Sequence, residues 1–119
     1  MYIIKVKKEF SGAHNLRGYK GKCEKLHGHN WKVEVEIAKN KLNNQGMVLD
    51  FKKMKKLLSK VLEKLDHKYL NDLPYFKKYN PTSENISKYI YDLIKKDVTN
   101  LAKVTVWETD FSSASFSIQ

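Results

Sequence analysis

The stretch "GKCEKLHGHNWKVEVEIAK", residues 21–39, decides how the chain is read. From Trp31 onward it alternates. Trp31, Val33, Val35 and Ile37 are apolar, and Lys32, Glu34 and Glu36 between them are charged. A period of two puts the odd set on one face of a β-strand. His27 and His29 share that odd parity. If the strand begins at residue 27, both imidazoles continue the apolar face. Cys23, the only cysteine in the chain, stands four residues before His27. Three readings of it are open at this point: a metal ligand, a small buried residue, or a reactive thiol beside a metal.

Upstream, residues 2–10 also alternate, with Tyr2, Ile4, Val6 and Phe10 on even positions, and predict a first strand. The glycine- and lysine-rich run "SGAHNLRGYKGKCEKL" then reads as a loop. Downstream, "NKLNNQG" is a turn, and Asp50 is placed to cap a helix. Phe51, Met54, Leu57, Leu58, Val61, Leu62 and Leu65 form its apolar stripe, with lysines over most of the remaining surface. "DHKYLNDLPYFKKYNP" reads as irregular. "TSENISKYIYDLIKKDV" predicts a second helix, capped by Thr82 or Ser83, with Ile86, Tyr89 or Ile90, Leu93 and Ile94 inward. A closing hairpin places Val104, Val106 and Glu108 on one parity, answered by Ala114, Phe116 and Ile118. The expected order is β-β-α-α-β-β. It describes an α+β fold, a four-stranded antiparallel sheet with two helices on one face.

The chain has 119 residues, which favours a single domain over residues 1–119. Its 23 Lys and Arg against 13 Asp and Glu give a net charge of +10, which raises nucleic-acid binding. Many of those lysines fall on the polar side of the first helix, so a solvated helix face explains much of the excess. Attraction of a small anionic substrate is a third use for it. One cysteine excludes an intramolecular disulfide. The opening "MYIIKVKKEF" has no long apolar core, and no run approaches a membrane span. A soluble, cytoplasmic protein is expected, without membrane or nucleic-acid partners.

Neutral imidazole is a common zinc ligand. His27 and His29 can converge on one ion, and His14 is the natural third donor. It shares parity with the inward residues of the first strand, although Gly12 interrupts that argument. Three histidines leave a position open, the pattern of a catalytic metal. A closed Cys-His-His-His site remains the structural alternative.

Six blocks extend the picture: "FSGAHNL", "CEKLHGHNWKVEV", "GMVLDF", "LDHKYLN", "PTSENI" and "WETDFSSASF". In this order, spanning residues 10–116, they resemble the 6-pyruvoyl-tetrahydropterin synthase family, and most closely its 6-carboxy-tetrahydropterin synthase branch of the queuosine pathway. The resemblance implies the tunnelling fold, with trimeric rings formed by joining sheets into a barrel and two rings stacked as a homohexamer. It implies a Zn2+ held by His14, His27 and His29, with Cys23 as the catalytic base and not a ligand. Asp66 and His67 match the acid-base partners, in sites at subunit interfaces. Glu108 matches the carboxylate that anchors the pterin ring, and Thr82, Ser83 and Glu84 match the pterin pocket. Trp31 stands where many relatives carry tyrosine. Glu24 has no assigned role.

The implied substrate is 7,8-dihydroneopterin triphosphate, converted to 6-carboxy-5,6,7,8-tetrahydropterin with release of acetaldehyde and triphosphate. Arg17, Lys20 and Lys22 are the candidate triphosphate partners, with Lys68 weaker. Within the family the alternative is 6-pyruvoyl-tetrahydropterin synthase, which eliminates triphosphate and keeps the carbon chain. Outside it, the alternative is a non-catalytic zinc- or nucleic-acid-binding module.

Overall fold

Two strands, β1 (Tyr2–His14) and β2 (His27–Lys39), pair antiparallel over their whole length, from Tyr2 opposite Lys39 to His14 opposite His27. The computed structural model of the chain describes residues 1–18 and 25–118. After β2 come α1 (Phe51–Leu62), β3 (Lys68–Tyr69), a single 3₁₀ turn (Leu70–Asp72), α2 (Pro74–Lys78), α3 (Ser83–Lys95), β4 (Leu101–Thr109) and β5 (Ser112–Ser117). The sheet order is β3-β1-β2-β4-β5.

Alternation in β2 does what its sequence requires. Trp31, Val33, Val35 and Ile37 are all buried. Val6 and Phe10 from β1 and Val104 and Val106 from β4 join them. The helices close over this face with Met54, Leu58 and Leu62 from α1 and Ile86, Ile90, Tyr91 and Ile94 from α3. Both caps form: Asp50 accepts from the Lys52 N–H, and Thr82 accepts from the Asn85 N–H at 3.1 Å. The opposite sheet face is charged. Lys5 and Lys7 flank Glu34, Lys103 meets Glu36, and Lys32 meets Asp110. Their lysines stand in solvent, and pairs with a solvated partner contribute little stability.

Several expectations are corrected. The sheet has five strands, not four, and it is mixed, because β3 runs parallel to β1. There are three helices among the described residues, not two. Both additions fall in the stretch read as irregular. A two-residue strand carries no period, and α2 is a five-residue helix begun by Pro74. Phe51 is exposed, because it opens α1 immediately after the cap. The last strand stops at Ser117, leaving Ile118 in solvent. In contrast, the parity argument carries through Gly12: β1 is unbroken to His14, which is buried like Phe10. The α1 lysines 52, 53, 55, 56, 60 and 64 are exposed, as a solvated helix face requires.

Residues 66–80 run as a rail beside residues 11–17. The Asp66 carboxylate accepts from the Ser11 N–H at 2.9 Å, and the His67 N–H donates to the Ser11 carbonyl at 2.6 Å. β3 pairs with Gly12 and Ala13. Beyond it, side chains replace backbone. The Asn71 amide accepts from the Asn15 N–H at 3.0 Å and donates to the Asn15 carbonyl at 2.9 Å. Asn80 does the same for Arg17, at 2.9 and 3.0 Å. Entry to the rail needs a sharp turn, which His67 makes in the left-handed region at φ 57°.

Candidate metal centre

At the end of the core face, the alternation of β1 and β2 delivers three imidazoles in succession. The facing register places His14 against His27, and His29 follows on the same face of β2. Trp31 forms the floor. It lies edge-on to His14 and His29, at ring centroid distances of 4.8 and 5.3 Å, and its indole N–H donates to the Gly12 carbonyl at 3.1 Å. Gly12 fits this floor because it has no side chain. A Cβ there would stand 3.2 Å from the Phe10 ring, which is stacked on Trp31.

Two of the rings are held from behind. His14 Nδ1 lies 2.7 Å from the Pro81 carbonyl, and His27 Nδ1 lies 2.7 Å from the Lys25 carbonyl. A carbonyl can only accept, so both Nδ1 atoms carry the hydrogen and both Nε2 atoms present a lone pair. Burial holds His14 below the ordinary imidazole value of 6.5, outweighing the opposing Pro81 hydrogen bond and the Glu108 charge. The neutral, ligating form is thereby favoured.

A fourth donor comes from β4. Glu108 Oε1 lies 2.9 Å from His29 Nε2, 3.4 Å from His14 Nε2 and 3.8 Å from His27 Nε2. His14 and His27 place their Nε2 atoms 2.9 Å apart. All four donors fall within 4.8 Å of one another. A tetrahedral zinc site, with donors at about 2.0–2.2 Å, separates them by about 3.3–3.6 Å. His29 Nε2 supports the fit: it is buried, out of line for a hydrogen bond to Glu108, and has no hydrogen-bond partner among the described residues. Three imidazoles and a carboxylate around an orphaned nitrogen make a site for a divalent metal such as Zn2+.

The model of the 6-pyruvoyl tetrahydropterin synthase family matches residues 3–119. The chain belongs to that family. A 6-carboxy-5,6,7,8-tetrahydropterin synthase of Synechocystis sp. is 37% identical over 98% of this chain and 93% of its own. Human 6-pyruvoyl tetrahydrobiopterin synthase is 39% identical over 87% of this chain and 74% of its own. The solved structure of Caenorhabditis elegans 6-pyruvoyl tetrahydropterin synthase superposes with a TM-score of 0.86 at 31% identity, over 100% of this chain and 98% of that one. The chain thus combines the α+β fold of a tetrahydropterin synthase family with a four-donor cluster suited to a divalent metal.

The remaining expected residues are placed unevenly. Glu108, matched to the pterin ring, stands among the imidazoles. Thr82 and Ser83 open α3 directly after Pro81, whose carbonyl holds His14; Ser83 is buried and Glu84 is exposed. Asp66 and His67 do not join the cluster. His67 Nδ1 lies 3.0 Å from Asp66 Oδ2, and His67 borders an open cleft of about 530 Å³ with Ser11, Ala13, Asn30 and Tyr69. By alternation, Ser11, Ala13 and Asn30 project from the sheet face opposite His14 and Trp31. The Arg17 guanidinium donates to the Phe76 carbonyl at 2.6 Å. Cys23, Lys20, Lys22 and Glu24 lie outside the described residues.

Sequence reasoning did not assign Glu108 to the metal. The signal the sequence carries is its parity with Val104 and Val106; the β2–β4 register, seen only in the structure, completes it. Lys32 pairs with Trp107, so the next step sets Glu108 level with Trp31, beside His29.

Proposed function

We propose that the chain is a metal-dependent synthase acting on 7,8-dihydroneopterin triphosphate. The observation that carries this reading is the His14-His27-His29-Glu108 cluster in a chain of this family. Elimination of triphosphate to give 6-pyruvoyl-tetrahydropterin is the reaction favoured by the family description and the C. elegans likeness. Cleavage to 6-carboxy-5,6,7,8-tetrahydropterin and acetaldehyde, expected from the sequence, is the second reading. The name of the Synechocystis relative supports it.

A zinc ion held by the cluster supplies Lewis acidity, which eases removal of a proton from a carbon beside a hydroxyl or carbonyl. Cys23 is the base that takes that proton. This role comes from the family resemblance of the block "CEKLHGHNWKVEV", in which Cys23 precedes the two histidines. Nearby cations lower a thiol's pKa toward the thiolate form. His67 exchanges protons with the substrate, oriented by Asp66. The Ser11 N–H, and then His67 itself, hold the Asp66 carboxyl below its usual range despite partial desolvation, so it stays ionised as the acceptor for His67 Nδ1. Because this pair borders the opposite sheet face, it serves the Cys23 of a neighbouring copy in a homo-oligomer. Thr82, Ser83 and Glu84 line the pterin pocket. Arg17 is steadied by Phe76, and with Lys20 and Lys22 it attracts the triphosphate.

The test is incubation of zinc-loaded protein with 7,8-dihydroneopterin triphosphate, followed by mass analysis. Triphosphate with 6-pyruvoyl-tetrahydropterin supports the first reading. Acetaldehyde with the 6-carboxy pterin replaces it by the second. Unconsumed substrate refutes both.

A further inference from the structure

Four donors around one point pose a difficulty for catalysis. A metal with four protein ligands has the closed sphere of a structural site, and no position remains for a substrate oxygen. Yet the four donors are not held alike. His14 is fixed by Pro81 and His27 by Lys25. His29 is enclosed by Trp31, His14 and His27. The Glu108 carboxylate accepts no hydrogen bond among the described residues, and its side chain remains 30% exposed. It also sits at a break in the ladder: Trp107 pairs with Ser113 and Thr109 with Ser112, so Glu108 is an extra residue in β4 without an opposite number. Bulges of this kind re-aim a side chain beside a site.

We propose that Glu108 is an exchangeable ligand. It completes the metal's coordination in the resting protein and leaves when a pterin ring arrives. The second half rests on the pterin reading above. A carboxylate is an acceptor only, and an amino group beside a ring N–H offers two parallel donors. Binding both donors engages both carboxylate oxygens and turns that edge of the group toward the ring, which weakens the hold of Oε1 on the metal. The arriving ring removes Glu108 from the sphere, and the position it vacates opens only when the ring is seated. The same residue thus holds the metal closed against adventitious ligands and reports the substrate to it. No bond to carbon forms or breaks in this step; one carboxylate oxygen exchanges metal for N–H donors.

Cobalt-loaded protein tests this without any turnover, because visible absorption follows the ligand set. Wild type and Glu108→Gln are compared first alone and then titrated to saturation with 7,8-dihydroneopterin. The variant keeps the size and shape of the side chain, and the three histidines still bind metal. Expected are different spectra for the free proteins, converging once the pterin saturates both. Zinc affinity, from chelator competition without pterin, falls at least about tenfold in the variant. Identical free spectra with equal zinc affinity overturn the ligation. Spectra that stay different at saturation overturn the exchange. If the pterin leaves the wild-type spectrum unchanged, the exchange fails together with the pterin reading, while the comparison of free proteins still decides whether Glu108 is a ligand. If exchange is observed but 7,8-dihydroneopterin triphosphate is not consumed, the proposed reaction fails and the exchange stands.

Discussion

Replacing Asn71 by alanine gives a measurable test of the rail beside β1. The side chain makes two hydrogen bonds to one residue, accepting from the Asn15 N–H and donating to its carbonyl. Each such bond contributes a net of about 1 kcal/mol, and a buried partner left unpaired costs about 1–3 kcal/mol. Asn71 is only 8% exposed, so water reaches the abandoned Asn15 groups poorly, and a loss of about 2–4 kcal/mol is expected. Asn80 supplies the internal control. It makes the same two bonds to Arg17, but in the solvent-accessible part of the rail. Water replaces its bonds, and Asn80→Ala is expected to lose about 1 kcal/mol or less. Urea unfolding of metal-free protein measures both, with the slope against denaturant checked for constancy. Equal losses in the two variants would refute the claim that burial sets the difference. A loss below about 1 kcal/mol for Asn71→Ala would show that the amide does not hold the segment after His14.

Trp31→Phe removes the indole hydrogen bond to Gly12 and leaves a void under His14 and His29; a loss of about 2–4 kcal/mol in urea unfolding is expected, from one hydrogen bond plus the missing ring volume. The metal-free protein becomes less stable as pH falls below 6.5, because His14 is depressed in the folded state and the unfolded chain takes up the proton first. His14→Asn flattens that slope, read from unfolding at a series of pH values, and leaves the slope above 6.5 unchanged. Zinc at about a hundred times its dissociation constant stabilises wild type by about 2.7 kcal/mol; a chelator reverses the gain, and His29→Ala abolishes it.

What the sequence disclosed follows from which signals are local. Period two in residues 31–37 and a helical stripe from Met54 to Leu62 are properties of neighbouring residues, and they placed β2 and α1 correctly. Asp50 and Thr82 were recognisable as caps because a short polar side chain before an apolar run has one common use. The zinc histidines were legible for the same reason, with His14 resting on a parity that the unbroken β1 upholds. β3 was not legible. Its two residues pair with Gly12 and Ala13, more than fifty positions away, and nothing in "KY" announces that. Glu108 was seen through the family resemblance as a pterin anchor. Its place among the imidazoles depends on the β2–β4 register and on a bulge, neither of which composition encodes.

The opposed placement of His14 and His27 has a consequence for how the chain finds its register. An apolar alternation fixes which face of a strand turns inward, but it is indifferent to a slip of two residues. β1 and β2 are joined by residues 15–26, too long a connection for a tight turn to set the count. A hairpin displaced by two would keep the parity of Val6, Phe10, Val33 and Val35; displaced one way it sets His14 opposite His29, and displaced the other way it carries His14 past His27. The stacking of Phe10 on Trp31 and the indole hydrogen bond to Gly12 belong to the observed pairing, and a metal held by both imidazoles would favour the same one. The facing imidazoles thus add a polar preference to an alignment that the apolar face alone specifies only by parity.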